Sequence, residues 1–147
     1  DAGRTVHFMA TINALCLESL TDHLDYLMSL KERYTRDRVN FTLNILRFPS
    51  FQSPLVLDPD DRTHFKLQLQ SWLNNNRDSK HLHEHEINHT QRLIDYLDIV
   101  KTPHSDTFDR DKLHNDFRHF YAQYDQRREK NLKRTFPIIG YWYEHCL

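Results

Sequence analysis

His85, Glu86 and His89 stand in the order H-E-x-x-H within the stretch "HLHEHEINHTQRL". On a helix this spacing sets two imidazoles one turn apart on one face, where both can ligate zinc. It also places a carboxylate beside them to polarise the metal-bound water. A zinc hydrolase needs a third ligand and an apolar cradle as well. No G-x-x-H follows the pattern, and the distant candidates His104, Asp106, Asp109 and His114 sit in no helical E-x-x-x-D context. The flanking His83, Glu84, Thr90, Gln91 and Arg92 read as a solvated face, and a chain with eleven histidines meets a five-residue pattern easily. The expectation is a solvated helix entry. His85 and His89, with His81 beside them, make at most an adventitious zinc or nickel site, and a zinc hydrolase is the remote alternative.

Other chemistry is largely excluded by composition. Gly3 and Gly140 are the only glycines, so no G-x-G-x-x-G or G-K-[ST] loop can cradle a phosphate. Cys16 and Cys146 form no C-x-x-C and read as reduced thiols of a cytoplasmic protein, with Cys16 buried and inert. The net charge of −1 comes without a long basic block, which argues against a nucleic-acid surface. No apolar run approaches the roughly 18 to 20 residues of a membrane span. The start, "DAGRTVHF", has neither an initiator Met nor a secretory pattern, as expected of a processed chain or a piece of a longer one.

The elements that must position these residues follow from periodicity. Residues 5–14 alternate, with Val6, Phe8, Ala10 and Ile12 opposite His7, Met9, Thr11 and Asn13, which predicts a strand. From Leu17 the period becomes helical through Leu20, Leu24, Leu27 and Leu30, ending in the basic "KERYTRDR". A second strand is predicted over 40–47, "NFTLNILR", followed by a proline-containing loop. Asp58-Pro59 opens a helix carrying Phe65, Leu69, Trp72 and Leu73, closed by "NNNRDS". Helices are predicted over 82–100 (Ile87, Ile94, Leu97) and 107–130 (Leu113, Phe117, Phe120, Tyr121, Tyr124), with "KTPHSD" between them, and a short one from Pro137. "YDQRREKN" reads as a charged helix face. A strand, a helix and a strand in the first 47 residues predict parallel neighbours joined by a right-handed crossover. Two parallel strands are too few for a stable sheet, so an edge is expected to await strands supplied before residue 1.

Four segments carry a family likeness: "TINALCLESL" (11–20), "NILRFPSFQSPLVL" (44–57), "QRLIDYLDIVKTPH" (91–104) and "FYAQYDQRREKNLKRTFP" (120–137). In this order they resemble the C-terminal part of radical S-adenosylmethionine proteins of the twitch- or SPASM-domain type, found in bacteria and phages. The resemblance covers nearly the whole chain. It implies an α/β fold: two parallel strands with crossover helices from a partial (β/α)6 barrel, over residues 1–77, then a helical C-terminal extension over 78–147. It also implies that the intact protein cleaves S-adenosylmethionine reductively at a [4Fe–4S] cluster, yielding a 5′-deoxyadenosyl radical that abstracts a substrate hydrogen. The cluster motif C-x-x-x-C-x-x-C is absent from these residues, so the chain alone is expected to be inactive.

By the same resemblance, Thr11 and Asn13 are expected at S-adenosylmethionine, bonding a ribose hydroxyl or the methionyl amino and carboxylate groups. Leu46 is expected near the adenine, and Arg47 at a carboxylate or substrate anion. All four lie at the C-terminal ends of strands, where barrels of this kind gather their sites. The 48–54 loop, longer than a minimal strand-to-helix loop and following the active-face end, is a candidate lid or substrate contact. The implied partners are the N-terminal remainder of the same protein and a peptide or small-molecule substrate. The alternative of another class is a non-catalytic helical interaction or scaffold domain.

Overall fold

The alternation in "VHFMATI" and "VNFTLNI" builds two strands, β1 (Val6–Ile12) and β2 (Val39–Ile45). The structure, a computed structural model, describes residues 3–99 and 109–145. "KTPHSD", with His104 and Asp106, and Cys146 lie outside the described residues. β1 and β2 pair in parallel with Val6 opposite Val39, Phe8 opposite Phe41 and Ile12 opposite Ile45. Between them runs α1 (Leu20–Tyr34), entered through a 3-10 turn at Leu15–Ser19. Leu20, Leu24 and Leu27 of α1 are buried. The α-helix thus starts three residues after Leu17, because the chain first turns off the strand in 3-10 geometry.

In-register parallel pairing puts opposite residues on the same face. One face carries Phe8, Ala10 and Ile12 beside Val39, Phe41, Leu43 and Ile45, all in or against the core. The other carries His7, Met9 and Thr11 beside Asn40, Thr42 and Asn44. Its β1 row is open to solvent, with Met9 74% exposed. A parallel sheet is ordinarily covered on both faces and apolar on both; among the described residues this one is covered on one.

Asp58 and Pro59 start α2 (Pro59–Asn76), which buries Phe65, Leu69, Trp72 and Leu73 as the spacing predicts. The Trp72 indole N–H donates to the Asp25 carboxylate at 2.8 Å and ties α2 to α1. α3 (Glu84–Leu97) buries Leu93, Ile94 and Leu97. α4 (Arg110–Arg128) buries His114, Phe117 and Tyr121, whereas Phe120 and Tyr124, expected on the same stripe, stand about half exposed. Those two positions stand about 60° round the axis from Phe117 and Tyr121 respectively, at the margin of a helix that is covered along a single stripe. Glu129, at φ 52°, ends α4 in the left-handed region, and α5 (Leu132–Thr135) and α6 (Pro137–His145) follow. One buried cluster draws on Ile12, Phe41 and Leu73 from the first half and Leu93, Phe117 and Trp142 from the second. Among the described residues no helix is long and apolar enough to cross a membrane.

Candidate functional site at the strand ends

Thr11 is the last exposed side chain of β1 and stands opposite Asn44. The two strands end together, with the Leu46 N–H donating to the Ile12 carbonyl at 2.9 Å. Asn13 then turns the chain: its carboxamide oxygen accepts the Cys16 N–H at 3.0 Å. Such local bonding by Asn is a turn-forming device. Leu46 and Arg47, expected inside the second strand, lie just beyond it, because β2 stops at Ile45. The four residues nevertheless gather at one end of the sheet.

A second loop laces this end together. The Ala14 N–H donates to the Gln52 carbonyl at 3.0 Å, and the Gln52 side-chain oxygen accepts the Tyr121 hydroxyl at 2.7 Å. Burial pushes the Tyr121 phenol up to about 12, so it serves as a neutral donor. Ser53 and Tyr96 share a hydrogen bond of 2.8 Å. The Arg47 guanidinium lies 5.6 Å from the centroid of the Tyr96 ring, a cation–π contact. Among the described residues no carboxylate pairs with Arg47, so the rim presents a positive group suited to an anion.

Thr11 offers an exposed hydroxyl, and Asn13 keeps its amide N–H groups while its oxygen holds the turn. The Leu46 N–H is spent on the Ile12 carbonyl. An iron–sulfur cluster does not fit here: Cys16, whose thiol points at the Thr11 carbonyl 3.6 Å away, is the one cysteine among the described residues. Asn44, Ser53 and Tyr96 belong to this end and were missed by sequence reasoning. The every-second-residue pattern Asn40, Thr42, Asn44 was the signal for Asn44; Ser53 and Tyr96 arrive from distant segments and had none.

The H-E-x-x-H stretch has a different task from either expectation. Glu86 is not solvated: it and Lys31 are both fully buried and pair at 2.7 Å. Glu86 also accepts the Phe41 N–H at 2.9 Å and the His83 N–H at 2.8 Å. His89 accepts the Leu43 N–H on Nδ1 at 3.1 Å, and Arg92 donates to the Leu43 carbonyl at 2.9 Å. Lys31 completes the row, donating to the Val39 carbonyl at 2.8 Å. These side chains occupy the outer backbone edge of β2, where another strand would pair. Thr90, also expected solvated, is fully buried and bonds back to the Glu86 carbonyl. The His85 and His89 rings sit 6.2 Å apart and nearly perpendicular, and among the described residues no group of three or more His, Cys, Asp or Glu is arranged to hold a metal. Burial, then the charges of Arg92, His85 and His7, pull the His89 pKa below the usual imidazole range.

β1 differs. Its outer edge, the backbone groups of His7, Met9 and Thr11, pairs with no strand among the described residues. Comparisons with protein-family models, with curated proteins and with solved structures found no match to this chain.

Proposed function

We propose that this chain is the C-terminal portion of a radical S-adenosylmethionine enzyme of the twitch or SPASM type. In this reading it contributes the last β/α units of a partial (β/α)6 barrel, part of the S-adenosylmethionine and substrate pocket, and a helical extension. The observation that carries the reading is the asymmetry of the sheet. β2 has an outer edge closed by side chains, as suits the end strand of an open barrel, and β1 has one that pairs with no strand among the described residues, which suits strands from the N-terminal remainder of the protein. The polar face of His7, Thr11, Asn40, Thr42 and Asn44 suits the wall of a wet lumen. A second helical layer on that face would bury those groups at high cost.

Within the pocket, Thr11 and Asn13 meet the ribose or methionyl groups, the Leu46 carbonyl the adenine, and Arg47 a carboxylate of S-adenosylmethionine or of a peptide or small-molecule substrate. The reductive chemistry belongs to a [4Fe–4S] cluster held elsewhere in the intact protein, and no step through it is assigned to these residues.

The test uses the complete polypeptide, purified without oxygen and reduced with dithionite, with release of 5′-deoxyadenosine as the readout. Arg47→Ala and Asn13→Ala each lower that release about tenfold, the loss of one good charge-assisted or amide hydrogen bond. Wild-type rates in both variants would remove the site assignment. Upstream coding sequence without C-x-x-x-C-x-x-C would remove the enzyme reading and favour a non-catalytic interaction domain.

A further inference from the structure

We infer that His89 is a proton-sensitive lock on the outer edge of β2: while the ring is neutral it holds the Leu43 amide, and on protonation it releases that edge. The inference is independent of the proposed enzyme reading and stands on hydrogen-bond geometry. A ring nitrogen accepts a hydrogen bond only when it carries no proton. Nδ1 of His89 is that acceptor, 3.1 Å from the Leu43 nitrogen. In the imidazolium both nitrogens bear protons, so an N–H would face an N–H and the bond would become a repulsion.

The surroundings give an imidazolium nothing to hold it. From α3, Arg92 donates to the Leu43 carbonyl one atom group away, and His85 packs edge-on against the ring. From β1, His7 adds its charge when protonated; its ring is held by Asn40 and by Thr42, the latter at 3.0 Å. Glu86 is the carboxylate one turn earlier on α3. Here its two oxygens are taken by Lys31 from α1, by the Phe41 N–H of β2 and by the His83 N–H. Among the described residues, the groups around His89 are therefore neutral, cationic or already paired.

The sign follows. A histidine whose folded pKa is lowered binds its proton more readily once the edge is open. The closed edge is fully favoured above the ordinary imidazole value, and it weakens as the pH falls through the lowered folded value. Opening bares the Leu43 N–H while Arg92 keeps its carbonyl, and a bare outward N–H is a start for pairing with another strand. Glu86 on Phe41 stays in place, so the release begins at Leu43 and not along the whole strand.

Amide exchange of this chain, followed residue by residue by NMR and corrected for the intrinsic rate, tests the lock. Between about pH 7.5 and 5, the window in which an imidazole charges, the Leu43 protection factor of the wild type falls about tenfold or more, while that of Phe41 holds. In His89→Gln, whose amide oxygen accepts at every pH, Leu43 protection is flat over the same range. Flat protection in the wild type would overturn the inference, as would an equal loss in His89→Gln. Should that variant not fold, the wild type still decides: the His89 ring-nitrogen shift and the Leu43 amide shift titrate with one midpoint, and separate midpoints sink the lock.

Discussion

Glu86 is the residue whose meaning changes most between sequence and structure. Next to two histidines it advertises a general base; in the fold it is a fully buried carboxylate facing Lys31 and two backbone N–H groups. A buried pair of this kind adds little over an apolar pair of the same shape, but removing one partner strands the other charge away from water. Lys31→Met is therefore expected to cost about 3–5 kcal/mol in urea unfolding. Lys66→Met offers the contrast: its ion pair with Asp98 has the same 2.7 Å length but lies at the surface. There the expected cost is below about 1 kcal/mol. Equal costs for the two variants would refute the assignment of Lys31 and Glu86 as a buried structural pair.

At the scale of elements, the joints between helices are made by single residues. The Glu18 carboxylate, on the 3-10 turn after β1, accepts the N–H groups of Ile138 and Ile139, one on each oxygen and each at 3.0 Å. It thereby caps the first turn of α6, where N–H groups lack intrahelical partners and a negative charge meets the positive helix end. On the other side of α6, Gly140 sits against the backbone of α5. A Cβ at that position would lie 2.8 Å from the Lys133 Cα and 3.2 Å from its carbonyl oxygen. Backbone cannot swing aside as a side chain can, so Gly140→Ala must push α5 and α6 apart. The expected destabilisation is about 1–3 kcal/mol by thermal or urea unfolding, the usual range for an overpacked contact. An unchanged or raised midpoint would mean that the α5–α6 joint yields freely.

For the molecule as a whole, a single buried cluster links the strands, α1 and α2 to α3, α4 and α6. A shared core couples what packs on it, so the two halves are expected to unfold together. The two tryptophans allow a direct check, since Trp72 lies on α2 and Trp142 on α6, and both are buried. Single-tryptophan variants, Trp142→Phe and Trp72→Phe, report the two halves separately. In each variant, fluorescence and far-ultraviolet circular dichroism should give coincident midpoints in urea. A tryptophan signal that melts apart from the helices in its own variant would divide the chain into two folding units.

Much of this architecture was legible in the chain. Alternation in "VHFMATI" and "NFTLNI" marks both strands, the 3.6-residue period marks α1 to α4, and Asp58-Pro59 and Pro137 mark helix starts, because these signals are local. Alternation alone carries the strands one or two residues too far, and it sets Leu46 and Arg47 in β2 when they lie beyond it. The collection of Thr11, Asn13, Leu46 and Arg47 at one end of the sheet was also predictable, since parallel strands must end on the same side. Three things were decided only by tertiary structure: that Tyr96 comes under Arg47, that Gln52 receives Tyr121, and that Glu86, His89 and Arg92 close the edge of β2. Each joins residues more than forty positions apart. A polar residue on a helix reads as solvated until a backbone edge with unmet hydrogen bonds is brought against it, and no spacing along one segment announces that meeting.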